Sequence, residues 1–269
     1  MKKGIVLLSV LMLLLAAAQA MAHFQMIYTP EAAMQKGGGI PIVLVFTHPF
    51  EAGHTMDMGK PEQFFVVATR GENEPKKTDL LGTLKPITWT SLTNSGAAWE
   101  TSYSARGGDH IFCLVPDPYL EKEEDAYIKQ NTKVIINVGG EPGAWMEPVG
   151  LPVEIVPLCK PYDRWTGNVF QGLVLFNGKP VPNAEVEIEY MNHEPDLNKK
   201  AFSKEAKAEA PQDAFVLQTI FADGNGVFTF GIPKAGWWGF AALDLDPDFT
   251  HKGKKCSRDA VIWLKAVDM

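Results

Sequence analysis

From residue 39 onward the chain alternates short apolar runs with turn residues. IPIVLVFTH (40–48), FFVVATR (64–70), HIFCLVP (110–116) and KVIINVG (133–139) are rich in β-branched and aromatic residues, and Gly, Pro, Asn or Asp bounds each. That length and composition mark strands. GLPVEIVPL (150–158) adds another. No stretch in this half keeps a 3.6-residue apolar period over a long span, although EKEEDAYIKQNT (121–132) has the make-up of a short helix. Many short strands with turns between them predict a β-sandwich.

Prolines at 157 and 161 interrupt strand pairing and mark a hinge. Beyond it the pattern restarts. An apolar run, the Asn177-Gly178 turn and the alternation of Ala184, Val186, Ile188 and Tyr190 predict a hairpin with one buried face. A Lys/Glu/Ala-rich stretch (194–213) is expected to be a mobile loop or short helix. Asp223-Gly224-Asn225-Gly226 then turns the chain between two strands, and DAVIWLKAV (259–267) closes it.

The start of the chain has a different pattern. Lys2-Lys3, an apolar run over 5–18 and the small-x-small triplet Ala20-Met21-Ala22 make the three-part layout of a secretory signal peptide. The apolar run is short for a membrane span. Cleavage after Ala22 would leave a 247-residue chain beginning at His23, soluble in the periplasm. The expected architecture is therefore all-β: a signal peptide over 1–22, a sandwich over 23–158 and a second over 165–269, immunoglobulin-like or transthyretin-like.

Losing Lys2 and Lys3 takes the formal charge from −7 to −9. An acidic chain is a poor partner for nucleic acid or an anionic membrane and suits one that handles cations. Cys113, Cys159 and Cys256 lack any C-x-x-C spacing, which argues against a thiolate metal site or a thioredoxin-type centre. Cys113 lies in an apolar run and is expected in the core. No G-x-S-x-G, H-E-x-x-H or phosphate-cradling glycine loop is present, so a non-enzyme is expected.

The candidate chemistry is histidine chemistry. A mature N-terminal His23 offers its α-amine and imidazole in one chelate ring. His48 ends a strand and His54 follows on the same loop, HPFEAGHTMDM (48–58), where a turn at Gly53 lets the two imidazoles converge. Imidazole suits nickel, cobalt, copper or zinc. Met56 and Met58 are either soft donors favouring Cu(I) or hydrophobic cover. His110, at the start of a strand, either reaches the site or caps a sheet edge. His193 and His251 are expected at the surface. The metal-site candidates are His23, His48, His54 and His110.

Two resemblances bear on these residues. The run Gly172, Val174, Gly178, Pro180, Val181, Asn183, Ala184, Val186 and the run Thr219, Asp223, Gly226, Phe228, Phe230 resemble the carboxypeptidase-regulatory or transthyretin-like sandwich over about 165–269. That implies a fold and no chemistry. Over the whole mature chain, His23-Phe24-Gln25-Met26, the 48–58 loop, Pro116-x-Pro118-Tyr119-x-Glu121-x-x-Glu124-Asp125, Trp145-Met146-Glu147-Pro148, Pro161-Tyr162, Gly167-Asn168 and the 235–240 segment AGWWGF carry the second. They look like an exported family of nominally unknown function found with cobalt/nickel energy-coupling-factor transporters. The resemblance implies a periplasmic component of nickel uptake, with His23, His48 and His54 at its metal site, nickel or cobalt as its cargo, and membrane-embedded transporter subunits as partners. The alternatives are a copper carrier, or a copper enzyme that cleaves polysaccharide oxidatively from a histidine brace. Trp237-Trp238 is either a docking surface or core.

Overall fold

A computed structural model describes residues 23–269; the expected signal peptide lies outside them. The described residues are all-β apart from two 3-10 turns, Leu81–Thr83 and Asp213–Phe215. They pack as sandwich-type layers. The middle layer is the largest sheet, ordered Leu217–Phe221, Glu185–Tyr190, Gly236–Ala242, Lys254–Val267, Ala126–Val138, Gly108–Val115, Gln63–Thr69 and Lys76–Asp79. On one face lies a sheet ordered Phe24–Tyr28, Gly38–Thr47, Ser95–Ala105, Lys85–Thr90, Ala201–Ala206 and His193–Asp196. On the other lie Val153–Pro157, Val169–Phe176 and Lys179–Pro180, with Val227–Gly231 joined to the second of them.

The central strands of the middle sheet feed both cores by alternation. Val134, Ile136, Val261 and Trp263 point into the core shared with the Phe24–Tyr28 sheet. Ile135, Ile262 and Leu264 point into the other. Burial on both faces is why these segments read as unbroken apolar runs rather than as alternating ones. The two longest strands, Ala126–Val138 and Lys254–Val267, pair in parallel from Tyr127↔Cys256 to Val134↔Trp263. Residues on both sides of the 157–161 hinge therefore contribute to each core, and Val153–Pro157 ahead of the hinge pairs with Val169–Phe176 behind it. The segments 23–158 and 165–269 share one continuous sheet.

Several local expectations are corrected. Residues 121–132 form no helix. They hold the turn of a hairpin between Tyr119–Glu121 and Ala126–Val138, because the buried alternation from Tyr127 onward follows the sheet and the charged residues fall on its turn. The 194–213 stretch contributes a strand pair, His193–Asp196 with Ala201–Ala206. Asn177 and Gly178 do take positive φ (50° and 73°) and turn the chain, but the returning arm is only Lys179–Pro180. The strand Glu185–Tyr190 has crossed to the middle sheet, where it pairs with Gly236–Ala242. Trp237 and Trp238 are both buried. The three cysteines are free, with Cys113 in the core.

Candidate metal centre

Strand register builds the site. Phe24 pairs with Thr47 across the antiparallel ladder, so the next pair outward is His23 with His48. Cross-strand neighbours stand within side-chain reach, and the two imidazole centroids lie 4.6 Å apart.

Buried polar side chains hold the His23 end in place. The Gln25 N–H donates to Gln130 Oε1 at 2.7 Å, and the Trp263 indole N–H donates to Gln25 O at 2.9 Å. Gln130 in turn donates to Asp259 Oδ2 at 3.2 Å, while Asp259 Oδ1 accepts from the Asp244 N–H at 2.9 Å. Phe24 is fully buried with its ring 5.7 Å from that of Trp263. The first described residues are thus tied to the last strand.

The loop after His48 is held from the second half of the chain. Glu189 Oε1 accepts the Phe50 N–H at 2.7 Å, and Pro49 O accepts the Asn192 N–H at 3.3 Å. The loop closes on itself where the Gly53 N–H reaches His48 O, and the Thr47 hydroxyl reaches His54 O. Burial pushes the Glu189 carboxyl well above the usual range, and the charges of Glu51 and Glu187 add to this; the Phe50 N–H opposes it.

His48 is 5 % exposed, and burial lowers its pKa to about 3, with His23 and His54 adding positive charge nearby. It is a neutral nitrogen donor across the physiological range. His54 is exposed on the same loop. Phe46 and Tyr119 flank His23, with ring centroids at 5.6 and 6.2 Å. His23 Nε2 lies 3.2 Å from Glu121 Oε2. A cavity of about 130 Å³ adjoins these aromatic rings, lined in part by Gln25, Met58, Pro118 and Ile128.

The remaining candidates fall elsewhere. Met56 is packed in the core. Met58 is nearly buried, and its sulfur accepts from the Gln25 amide at 3.4 Å. His110 pairs with Ile136 whereas Tyr119 pairs with Ile128 of the same strand; eight residues at ~3.3 Å per residue put His110 about 26 Å from the His23 end. Its Nε2–H donates to Arg106 O at 2.8 Å and its Nδ1 meets the Tyr103 hydroxyl at 3.3 Å. His110 therefore braces a sheet rather than joining the cluster. His193, expected at the surface, is buried, with Nδ1 2.9 Å from Ser203 O. His251 packs edge-on against Tyr127.

Among the described residues, no group of three or more His, Cys, Asp or Glu side chains is placed to hold a metal ion. Side chains alone leave His23 and His48 short of a complete shell. Cleavage after Ala22 would free a further nitrogen beside them, the α-amine of His23. Glu121 and Tyr119 were absent from the predicted site, although both stand in the Pro116-x-Pro118-Tyr119-x-Glu121 motif that the sequence displays.

The model of a domain of unknown function, DUF4198, matches residues 20–246. The chain belongs to this family. No curated protein matches it. Among solved structures, the D0-D1 domain of intimin is 12 % identical, with 88 % of this chain and 96 % of that one covered, at a TM-score of 0.20. The adhesin InvE of Yersinia pseudotuberculosis is 13 % identical, with 89 % and 58 % covered, at a TM-score of 0.25. Neither likeness speaks to function. Among the described residues of this DUF4198 protein, no helix is long and apolar enough to cross a membrane.

Proposed function

We propose that this DUF4198 protein is exported, binds a divalent transition metal through the N-terminal His23 together with His48, and passes nickel or cobalt to a membrane-embedded transporter. The observation that carries the proposal is the cross-strand pairing of His23 and His48, with rings 4.6 Å apart. An α-amine and imidazole from His23 with a second imidazole from His48 make three neutral nitrogens, a donor set suited to nickel, cobalt or copper. His54, on the same loop, is the reserve fourth donor. The acidic surface favours approach of a cation. Delivery to a nickel or cobalt transporter rests on the likeness of the His23, 48–58 and 116–125 motifs to the exported family found with such transporters.

The second reading is a copper protein. It draws on the same three nitrogens and on Tyr119 and Phe46 beside them, an arrangement akin to a histidine brace.

Titration calorimetry with nickel, cobalt, copper and zinc on the chain beginning at His23 tests both readings, beside a sample with one extra residue ahead of His23. Tight nickel or cobalt binding that the extra residue abolishes is the expected result. A preference for copper beyond its general advantage moves the assignment to the second reading. Absence of binding in both samples overturns both readings.

A further inference from the structure

We infer that Glu121 is a positioning residue that sets the tautomer of His23, a role that rests on the metal-binding proposal. An N-terminal histidine can close a six-membered chelate ring with its own α-amine only through Nδ1, since Nε2 lies on the far side of the ring from the backbone. The proton must therefore reside on Nε2, which leaves the Nδ1 lone pair for a metal. Glu121 Oε2 stands 3.2 Å from Nε2, within reach of that N–H. Metal-ligating histidines generally donate their second nitrogen to a carboxylate or carbonyl, which fixes both tautomer and ring orientation.

The carboxylate is itself held. Its other oxygen, Oε1, accepts the Glu123 N–H at 3.2 Å within the turn. The hairpin pairs Glu121 with Ala126 and Tyr119 with Ile128, so the arm that carries Glu121 also lays the Tyr119 ring beside His23. Asp125, at the tip with φ of 52°, is ion-paired to Lys254 of the last strand. The two contacting side chains are only 19 % and 16 % exposed. That shielding separates this contact from a surface ion pair, which contributes little.

The test uses metal-free chain beginning at His23, labelled with ¹⁵N at histidine, in buffer alkaline enough to keep the ring neutral. Long-range ¹H–¹⁵N spectra then report which nitrogen carries the proton. The expected result is a single Nε2–H tautomer for His23, with an N–H resonance protected from solvent exchange. Glu121→Ala loses that resonance, whereas Glu121→Gln, which keeps an acceptor oxygen, retains it. In calorimetry Glu121→Ala lowers metal affinity by roughly the 10–100-fold typical of outer-shell partners, and Glu121→Gln restores most of it. A Nδ1–H tautomer in the native protein, or an N–H resonance unchanged in Glu121→Ala, overturns the inference. Because the tautomer is read without metal, failure of the metal-binding proposal is a separate outcome: calorimetry blank for the native chain while the spectra still decide the role of Glu121.

Discussion

Glu189, in the second half of the chain, accepts the backbone N–H of Phe50 at 2.7 Å and so holds the loop that begins at His48. Glu189 is itself buried, and that burial raises its pKa well above the usual carboxylate range. Glu189→Gln preserves shape and acceptor and is expected to be nearly neutral. Glu189→Leu leaves the Phe50 N–H without that acceptor, which costs about 1–3 kcal/mol and loosens the His48 loop. Chemical denaturation with calorimetry on both variants checks this. Equal metal affinity and stability in the Leu and Gln variants would show that the contact holds nothing.

The metal-site candidates separate by position. His48→Ala is expected to lower affinity beyond the roughly 10–100-fold that loss of an outer-shell partner costs. His54→Ala has a smaller effect, because His54 is exposed at the loop's edge. His110→Ala leaves binding intact but destabilises the sheet, since it removes the contacts to Arg106 O and the Tyr103 hydroxyl. Calorimetric titration of the three variants under one set of conditions makes the comparison; an affinity loss in His110→Ala alone would refute the placement.

Gly239 is a space requirement. A Cβ there would fall 2.7 Å from the Trp263 ring and 2.9 Å from that of Phe24. Gly239→Ala is expected to cost about 1–3 kcal/mol through overpacking and to displace the residue that follows His23. Thermal melting should register the first effect and metal titration the second. An unchanged melting temperature would count against the packing argument.

Glu187 predicts a pH dependence. Burial, together with the nearby charges of Glu185 and Asp259, raises its pKa from 4.5 to about 7. The folded state thus holds a proton that the unfolded state has released between those values. Its contribution to stability is complete below pH 4.5 and is lost as pH rises to about 7. Glu187→Gln is expected to melt higher than the native chain above pH 7, by roughly 2–4 °C for each ~1 kcal/mol in a chain of this size, with the gap closing toward pH 4.5. Melting curves across that range measure it. A constant gap would place the effect elsewhere than in the proton.

How much was legible beforehand follows from which forces are local. The runs at 40–48, 64–70, 110–116 and 133–139 fall on strands, each reaching one residue past its strand's end, because two-sided burial writes itself into the chain as continuous β-branched and aromatic sequence. Residues 121–132 misled because charged residues at a hairpin turn have the same composition as an exposed helix face. The strand after Asn177-Gly178 misled because the turn is local but the choice of sheet is not.

The sequence by itself determined an all-β chain and the approximate positions of its main strands, and it singled out His23, His48 and His54 as candidates. The tertiary structure alone decided that His23 faces His48, that Glu121 meets His23, that Glu189 clamps Phe50 and that His110 stands apart. The reason is physical: hydrophobic periodicity is set by each residue's own burial, while pairings between distant residues depend on register and sheet order. Those are fixed only when Ala126–Val138 and Lys254–Val267 come together in one sheet.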